Sequence, residues 1–372
     1  MKILYVTTVG GTMSFFIDHF KMLIREGHTI ELACNTSSPI NKHILDLGVK
    51  VHNVPFSRSP ISRENAKAYK TLKTIIMNNS YDIVHCHTPN AAVITRFVCN
   101  KYRKKGLKVF YTAHGFHFFK GAPLKNWLFF FPIEWICSFF TDSLITINKE
   151  DYALAKKHMH ANQIEYIPGV GIDVGKFVNC NINRNEKRKS IGLCDSDIMV
   201  LSVGELNSNK NQSSIIKAIA KINDDKIHYV LAGSGDKKEQ LMQLSKQLNI
   251  EKNVHFIGFR DDINELCCIA DIFAFPSYRE GLGLAAIEAM ASGLPLITSN
   301  MHGINDYSQN NITGFKFDPN DVDGFADGIE KLAGNLELRK KIGENNVQLS
   351  KKYDSKNILI LVKRIFETID LS

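Results

Sequence analysis

Two glutamates bracket a glycine-containing turn in the second half of the chain. In the segment PSYREGLGLAAIEAMASGLP, Glu280 and Glu288 enclose seven residues. Gly281 and Gly283 would let main-chain N–H groups approach a ligand closely, and a helix beginning near Leu284 would favour a phosphate at its N-terminus. This pattern predicts carboxylates that hold hydroxyl groups beside a phosphate, those of a sugar on Glu280 and those of a ribose on Glu288. A glycine turn followed by a helix with surface glutamates is the plainer alternative.

Histidines follow two strand-like segments in the first half of the chain. His85 and His87 alternate along YDIVHCH and share one face, so a metal site is conceivable, although no third ligand has recognisable spacing. His114 follows LKVFYTA, and the end of a parallel strand favours a functional role over the commoner structural one. Gly10 and Gly11 follow the first strand without the G-x-G-x-x-G dinucleotide pattern, and a tight turn is their alternative role.

Short β-rich runs alternate with amphipathic helical stretches along the chain, as parallel α/β sheets require. Several runs are continuously apolar, which is typical of strands covered on both faces. The strands predicted in the first half are Lys2–Thr8, His28–Cys34, Val49–Pro55, Tyr81–His87, Leu107–Ala113, Asp142–Asn148 and Gln163–Gly169. Those in the second half are Ile198–Gly204, Lys226–Gly233, Asn253–Phe259, Asp271–Ser277 and Leu294–Asn300. The pattern predicts an α/β protein with two doubly wound, Rossmann-like domains.

The length of 372 residues also fits two domains of ordinary size. A polar surface segment at residues 182–196 opens the second unit, and residues 355–369 have the apolar spacing of a helix. We predict a first domain at residues 1–168, completed by a C-terminal helix at 355–372 that crosses back to it, and a second domain at 169–354. Ligands of such sheets bind at the carboxyl ends of strands, so the site is expected in a cleft between the domains.

The net positive charge of the chain lies in its first half. Residues 1–170 hold 21 Lys+Arg against 11 Asp+Glu, a net of +10, whereas the remainder holds 25 against 27, a net of −2. The asymmetry favours an anionic partner for the first domain, such as phosphate groups, nucleic acid or anionic lipid, although a solvated lysine-rich surface would look the same.

Cysteine usage and apolar runs indicate the compartment. Cys34, Cys86, Cys99 and Cys137 lie in apolar runs and are predicted to be buried thiols, as in a reducing environment. The N-terminus lacks the features of a signal peptide, and the longest apolar stretch, 127–140, is interrupted by proline and too short to span a bilayer. We therefore expect a cytoplasmic protein, or one peripheral to a membrane.

The segment REGLGLAAIEAMASGLP closely resembles the E-x7-E motif of glycosyltransferase family 4. The resemblance covers nearly the whole chain and implies a GT-B fold and a retaining glycosyltransferase that uses a nucleotide-diphosphate sugar. It implies that Glu280 contacts the transferred sugar and Glu288 the nucleotide ribose. Sugar and phosphate contacts would come from main-chain amides of the intervening loop, Gly281, Leu282, Gly283 and Leu284.

Other segments extend this resemblance. SVGELNSNKNQSSIIKAI is similar to the loop where a basic pair holds the diphosphate; Lys210 matches one member, whereas Glu205 stands where arginine is usual. An acid cannot neutralise phosphate, so Glu205 is an uncertain contributor that could orient Lys210. GFRDD is similar to the nucleobase loop, which implicates Phe259 and Arg260. The resemblance also places His114 near the donor sugar, and the loop of Gly10 and Gly11 near donor phosphates and acceptor. It implies no metal and no cofactor besides the nucleotide-sugar co-substrate.

Two stretches of the first domain are predicted to meet a membrane and a lipid-linked acceptor. NKYRKKGLK is a basic cluster, and each such residue near an anionic surface contributes roughly 1 kcal/mol of attraction. Residues 116–140 are unusually aromatic, which suits the headgroup zone, although a buried helix would explain part of this composition. Arg58 and Lys120 could meet the diphosphate of a polyprenyl-linked acceptor, and His87 the acceptor itself.

Several blocks, including HCHTPNAAV and LITINKEDY, resemble the bacterial exopolysaccharide and capsule branch of the family. This resemblance implies a hexosyl- or N-acetylhexosaminyltransferase at the inner face of the plasma membrane, UDP being the most frequent nucleotide, with no role for nucleic acid. Two other functions stay open. They are a non-catalytic nucleotide-sugar-binding partner in a polysaccharide assembly complex, and a nucleotide-sugar epimerase.

Overall fold

A computed structural model describes residues 1–178 and 182–368. The chain divides into two compact units, the first comprising Met1–Gly171 with the chain from Ser355 onward, and the second Ile172–Asp354. The predicted boundary after residue 168 lies three residues before the observed one, and the predicted return of the chain at 355 coincides with the second crossing. The end of the predicted C-terminal helix, from residue 369, lies outside the described residues.

The first unit contains a seven-stranded, wholly parallel sheet in the order β3-β2-β1-β4-β5-β6-β7. Its strands are β1 (Lys2–Val9), β2 (Thr29–Asn35), β3 (Lys50–Asn53), β4 (Ile83–His87), β5 (Lys108–Ala113), β6 (Ser143–Thr146) and β7 (Gln163–Tyr166). Its helices are α1 (Ile17–Arg25), α2 (Lys42–Leu45), α3 (Glu64–Met77), α4 (Pro89–Arg103), α5 (Leu124–Ser138), α6 (Lys149–His158) and, at the C-terminus, α15 (Ser355–Glu367). A 3₁₀ segment, Gly10–Phe16, follows β1.

The second unit contains a six-stranded parallel sheet in the order β10-β9-β8-β11-β12-β13. Its strands are β8 (Ile198–Val203), β9 (Ile227–Ala232), β10 (Val254–Gly258), β11 (Ile272–Phe275), β12 (Leu296–Ser299) and β13 (Gly314–Phe317). Its helices are α7 (Val174–Val178), α8 (Arg184–Ser190), α9 (Gln212–Ile222), α10 (Lys238–Gln247), α11 (Ile263–Ile269), α12 (Leu284–Ala291), α13 (Val322–Ala333) and α14 (Leu336–Ser350). Short 3₁₀ segments occupy His302–Asp306 and Lys351–Tyr353.

Burial explains why the apolar runs became central strands. Residues Ile3 to Val6 of β1 and Met199 to Leu201 of β8 are all 0% exposed, as expected for strands with helices on both faces. The twelve predicted strands all occur, with ends that agree within three residues, and the two-domain α/β fold is confirmed. The four cysteines predicted to be buried thiols are buried.

The polar stretch at 182–196 lies mostly at the surface, as predicted, and it contains the short helix α8. Arg188 of this helix is fully buried and donates to the Ile269 carbonyl oxygen (2.7 Å) and the Asp271 carboxylate (3.1 Å). A buried guanidinium with several acceptors ties this segment to the sheet, which the polar composition alone could not indicate.

The strand order fixes where ligands can bind in each unit. It reverses between β1 and β4 in the first sheet and between β8 and β11 in the second. Loops that leave neighbouring strands on opposite sides of such a reversal open a crevice at the carboxyl edge of the sheet. In the second unit these are the loops that carry Lys210, after β8, and Glu280, after β11.

Candidate active site

The reversal in the second sheet brings the predicted lysine and the first glutamate of the E-x7-E motif into contact. Lys210 Nζ lies 2.8 Å from Glu280 Oε1 and 4.5 Å from the centre of the Phe275 ring. The side chain of Lys210 also passes Gly204, where a Cβ would lie 3.3 Å from Lys210 Cε. A side chain larger than glycine's at position 204 would therefore crowd the lysine.

Hydrogen bonds join the loop after β8 to the loop after β11 and so fix the positions of Lys210 and Glu280. The Tyr278 N–H donates to the Asn209 carbonyl oxygen (2.8 Å), and the Asn209 side chain donates to the Arg279 carbonyl oxygen (2.9 Å). The Asn211 amide donates to the Pro276 carbonyl oxygen (3.1 Å). The residues that flank Lys210 are thus bonded to the residues that lead into Glu280, so the ion pair rests on two connected loops.

A third loop lies directly against the glycine turn. The Gly303 N–H donates to the Glu280 carbonyl oxygen (3.1 Å), and a Cβ on Gly303 would lie 1.9 Å from the Gly281 carbonyl oxygen. Gly283 has a φ of +89°, and a Cβ there would lie 2.6 Å from Phe275 and 3.0 Å from the Tyr307 hydroxyl. At Gly283 the backbone conformation and the packing both require glycine, and at Gly303 the packing alone excludes a side chain.

Main-chain donors of this turn lead into α12, which begins at Leu284 as predicted. Leu282 is 3% exposed, so its side chain belongs to the core and its main chain is what can meet a ligand. The first N–H groups of a helix have no partner within the helix and carry the positive end of its dipole. The turn and helix therefore present donors suited to an anionic or hydroxyl-bearing ligand beside Glu280.

Glu288 lies one turn into α12, where burial raises the pKa of its carboxyl group. The positive charge of Lys176, on α7, acts in the opposite direction. A half-buried carboxyl group with one cation nearby is suited to accepting hydrogen bonds from hydroxyl groups. Lys176 was not predicted as a site residue.

Glu205, which could orient Lys210, is connected to it through Asn207. Its Oε2 accepts from the Asn207 side-chain amide (3.0 Å), and Asn207 Oδ1 accepts from the Lys210 main-chain N–H (3.0 Å). The Glu205 side chain is exposed. Its link to the lysine therefore runs through the asparagine and reaches the main chain rather than the ammonium group.

The predicted nucleobase residues follow β10 and differ in availability. Phe259 is 76% exposed, so its ring is open to stacking. Arg260 donates from Nε to Asp262 Oδ1 (2.7 Å), and Lys187 also contacts the Asp262 carboxylate. The two cations hold the pKa of Asp262 well below its ordinary value. The guanidinium of Arg260 is thus engaged within its own loop.

In the first unit, two predicted histidines lie close together. His87 is the last residue of β4, and His114 follows the last residue of β5. His87 Nδ1 lies 3.1 Å from His114 Nε2. Burial lowers the pKa of His114 to about 4 and that of His87 well below its ordinary value, so both rings are neutral at pH 7. His87 is 1% exposed, which argues against its predicted contact with an acceptor, because its ring has no surface to offer.

The remaining predicted residues of the first unit lie in the loops after β1, β3 and β5. Gly10 packs so closely that a Cβ would lie 2.3 Å from the Ser38 carbonyl oxygen, which is a structural reason for glycine. The Gly11 N–H donates to the Ser38 hydroxyl (3.2 Å). Arg58 and Lys120 are exposed. The Arg58 carbonyl oxygen accepts from the Asn90 side chain, and the Lys120 main-chain N–H donates to the Glu150 carboxylate.

The predicted metal option at His85 and His87 has no structural support. His85 Nε2 is hydrogen-bonded to the Thr112 hydroxyl (2.8 Å), and His87 is bonded to His114. Within residues 1–178 and 182–368, no group of three or more His, Cys, Asp or Glu side chains is arranged to hold a metal ion.

Three residues of these sites escaped the sequence analysis. Gly303 and Tyr307 lie in the segment that connects β12 to β13, far along the chain from Lys210 and outside the E-x7-E motif. Burial, and then the nearby Glu280, raise the pKa of Tyr307 well above its ordinary value, so its hydroxyl stays protonated beneath the turn. Lys176 has no sequence signal, since only folding brings α7 beside α12.

Two family models match this chain. Residues 2–148 match the family described as "Glycosyl transferase 4-like", and residues 183–349 match "Glycosyl transferases group 1". The chain is 36% identical over 348 residues to EpsD of Bacillus subtilis, named as a glycosyltransferase, covering 92% of this chain and 90% of that one. It is 28% identical over 375 residues to the Escherichia coli UDP-Gal:alpha-D-GlcNAc-diphosphoundecaprenol alpha-1,3-galactosyltransferase, covering 98% and 93%.

Solved structures match the whole chain. HepE of Anabaena, crystallised with UDP, superposes with a TM-score of 0.79 at 20% identity over 99% of this chain and 100% of that one. WaaG, a glycosyltransferase involved in lipopolysaccharide biosynthesis, superposes with a TM-score of 0.77 at 18% identity and the same coverage. The two parallel sheets, the E-x7-E turn with its lysine, and these matches agree that the chain is a glycosyltransferase with the GT-B fold and belongs to family 4.

Proposed function

We propose that this enzyme transfers a sugar, with retention of anomeric configuration, from a UDP-sugar to a saccharide carried on a polyprenyl diphosphate. Two relatives support the substrates. The named activity of the Escherichia coli galactosyltransferase uses UDP-galactose and a diphosphoundecaprenol-linked sugar, and HepE was crystallised with UDP-glucose. The setting we propose is bacterial surface polysaccharide synthesis, at the inner face of the plasma membrane.

The contact between Lys210 and Glu280 carries this proposal. At 2.8 Å, each group holds the other in the absence of a donor, one charge suited to phosphate and one to sugar hydroxyls. A nucleotide-diphosphate sugar presents both partners side by side. Binding would replace the ion pair by a phosphate contact on Lys210 and hydroxyl contacts on Glu280, so each charge would keep a charge-assisted partner.

The proposed chemistry is electrostatic stabilisation of the leaving group. As the bond from the anomeric carbon to the diphosphate breaks, negative charge grows on the phosphate oxygens. Lys210 and the main-chain donors of the turn at Gly281 and Gly283 would stabilise that charge. The acceptor hydroxyl would then attack the face that the diphosphate leaves, with no covalent bond to a carboxylate, and its proton would pass to the departing phosphate.

We assign the other residues by the roles that the family resemblance implies. Glu288 binds the ribose hydroxyls, the loop of Phe259 and Arg260 meets the nucleobase, and His114 contacts the transferred sugar. Exposed Arg58 and Lys120 meet the diphosphate of the acceptor.

The reaction is proposed to need no metal ion, so EDTA should leave the rate unchanged.

Purified enzyme incubated with a panel of UDP-sugars and a polyprenyl-diphosphate-linked N-acetylhexosamine tests the proposal. We expect a lipid-linked disaccharide with retained configuration by NMR, and at least about 100-fold lower turnover for Glu280→Ala and Lys210→Ala, the size of losing one transition-state charge contact. Near-normal turnover in either folded variant would refute its assignment. Donor binding without turnover would instead indicate a binding partner, and a new sugar formed from donor alone would indicate an epimerase.

The second part of the proposal concerns the membrane. Helix α5 has an exposed apolar face that comprises Leu124, Leu128, Phe129, Ile133, Trp135, Ile136 and Phe139, the last being its C-terminal cap. The opposite face is buried, with the Glu134 carboxylate paired with Arg96 (2.8 Å). The aromatic segment is therefore half core and half surface. No helix in the described parts of the chain has the length and apolar character to cross a bilayer.

Basic residues border both ends of this face. Lys125 is exposed at its N-terminal end, and Arg103 donates to the Phe139 carbonyl oxygen (2.8 Å) at the other end. Arg103 also binds Asp142, so its charge is partly used within the fold, while the neighbouring Lys104 and Lys105 are exposed. Apolar side chains flanked by exposed lysines suit the boundary of an anionic bilayer.

Co-sedimentation with liposomes tests this docking surface. We expect binding to phosphatidylglycerol-containing vesicles at low salt, weaker binding at high salt, and loss of binding in a Phe129→Ser, Trp135→Ser variant. Ile360→Ser is the matched control, since Ile360 is 67% exposed on α15. If the wild-type protein ignores anionic vesicles at low salt, or the control loses binding equally, this part of the proposal fails.

A further inference from the structure

His87 makes a specific contact that packing alone does not require. The bond between His87 Nδ1 and His114 Nε2 spans 3.1 Å and contains one proton, because both rings are neutral. Whichever ring donates, the bond sets the tautomer of both histidines. It also occupies Nε2 of His114, so Nδ1 is the nitrogen of that ring left to meet a sugar.

The ring of His87 is itself fixed by its surroundings. It stacks on Tyr5 at 5.5 Å with an interplanar angle of 15°, and the centre of the Phe16 ring lies 4.2 Å away. His85 lies behind it at 4.1 Å and is held by Thr112. A ring confined by three others cannot turn without displacing them, so the direction of its Nδ1 is set by the core.

We propose that His87 is a positioning residue, which acts through His114 by fixing the tautomer and the ring orientation of that histidine at the sugar. The inference rests on the proposed function, because His114 matters only if it contacts the transferred sugar. Partners that fix a functional histidine change activity about 10- to 100-fold when removed from metal sites, and a comparable effect is expected for a hydrogen-bonding sugar contact.

Two substitutions separate the bond from the packing. His87→Phe keeps an aromatic ring beside Tyr5 and Phe16 but removes the bond. His87→Asn loses the ring but places an amide atom where Nδ1 lies, the same number of bonds from Cα. A positioning role predicts that the phenylalanine variant is the less active of the two, although it is the better packed. A packing role predicts the reverse order.

The first measurement is the ¹⁵N NMR spectrum of His114 in the free enzyme, which does not depend on activity. Wild type and His87→Asn should have the ring shifts of one neutral tautomer, and His87→Phe the averaged shifts of two. Thr112→Val is the matched control, because it removes the bond to His85 from the same cluster and should leave the His114 shifts unchanged. Unchanged His114 shifts in His87→Phe would overturn the inference.

The second measurement is the kinetics of sugar transfer. For His87→Phe we expect kcat about 10- to 100-fold lower with a donor KM within about threefold of wild type, and for His87→Asn a kcat within about threefold. Equal losses in the two variants would overturn the inference. If His87→Phe does not fold, His87→Gln replaces it, since its longer amide cannot occupy the position of Nδ1. Wild-type enzyme without transferase activity would refute the proposed function, while the NMR experiment would still decide whether His87 fixes His114.

Discussion

At the scale of single residues, the turn of the E-x7-E motif depends on two glycines that have no Cβ. Gly283 and Gly303 lie where the turn of the E-x7-E motif meets Phe275, Tyr307 and the Gly281 carbonyl oxygen. Their lack of a Cβ lets three chain segments approach one another closely, which aims the main-chain donors of the turn. The carboxylate of Glu280 is positioned by this packing as much as by its own contacts.

We predict that Gly283→Ala destabilises the second unit by about 2–5 kcal/mol. Two costs make up this value. The strained positive φ costs about 1–2 kcal/mol. The clash of a Cβ placed only 2.6 Å from Phe275 costs about 1–3 kcal/mol. Gly258→Ala is the control, since its φ is +73° and nothing lies within 4 Å of a Cβ, so it should lose about 1–2 kcal/mol. Urea unfolding of both variants measures the difference, and equal losses would contradict the packing argument.

At the scale of elements, α15 completes the hydrophobic core of the first unit. Phe366 of this helix packs on Phe110 of β5 at 5.0 Å and lies 5.8 Å from His85 of β4. Lys363 pairs with Glu26 beside α1 (2.7 Å), but this pair is on the surface and contributes little. The helix is therefore held chiefly by its apolar face, which shields a group of neutral histidines from water.

We predict that this histidine group makes the first unit sensitive to acid. Burial lowers the pKa of His19 from 6.5 to about 4, so below pH 6.5 the unfolded chain binds a proton that the folded chain does not. Stability should therefore fall as the pH drops from 6.5 to 4, by about 1.4 kcal/mol per pH unit for one histidine.

Thermal unfolding at a series of pH values measures this dependence. His19→Leu should have a shallower slope over that window than wild type. Phe118→Leu removes buried packing elsewhere in the first unit, against Phe116, Trp127 and Phe131, so it should lower stability at every pH while retaining the slope. An unchanged slope in His19→Leu would mean that His19 does not supply the predicted dependence.

At the scale of the whole molecule, each unit has its own sheet, core and candidate site. The proposed donor residues Lys210, Glu280 and Glu288 all belong to the second unit, whereas His87 and His114 belong to the first. Because α15 returns to the first unit, that unit is built from two separate parts of the chain, and its core is complete only when α15 is in place.

We predict that UDP raises the unfolding transition of the second unit more than that of the first. At 100 times Kd, a ligand stabilises the unit that binds it by about 2.7 kcal/mol. Phe366→Ala identifies the transition of the first unit, because truncating a buried phenylalanine costs about 3–5 kcal/mol there. Differential scanning calorimetry measures both, and a UDP shift confined to the transition that Phe366→Ala lowers would contradict donor binding by the second unit.

The sequence by itself determined the class of fold and the turn that identifies the family. Continuously apolar runs mark strands because burial on both faces leaves no place for polar side chains. Glu280, Glu288 and the glycines between them are close along the chain, so their local pattern is legible without the fold. Lys210 was identified through the family resemblance, since its partner lies about seventy residues away.

Only the tertiary structure decided which distant residues meet. The strand reversal between β8 and β11 places Lys210 beside Glu280, and the pairing of β4 with β5 places His87 beside His114. The packing of α7 on α12 brings Lys176 near Glu288. Burial depends on all neighbours at once, which is why His87 became a partner of another histidine rather than a contact for the acceptor. The local sequence pattern indicates which helix or strand a segment can form. The three-dimensional packing decides which side chains are buried and which stay available to bind a ligand.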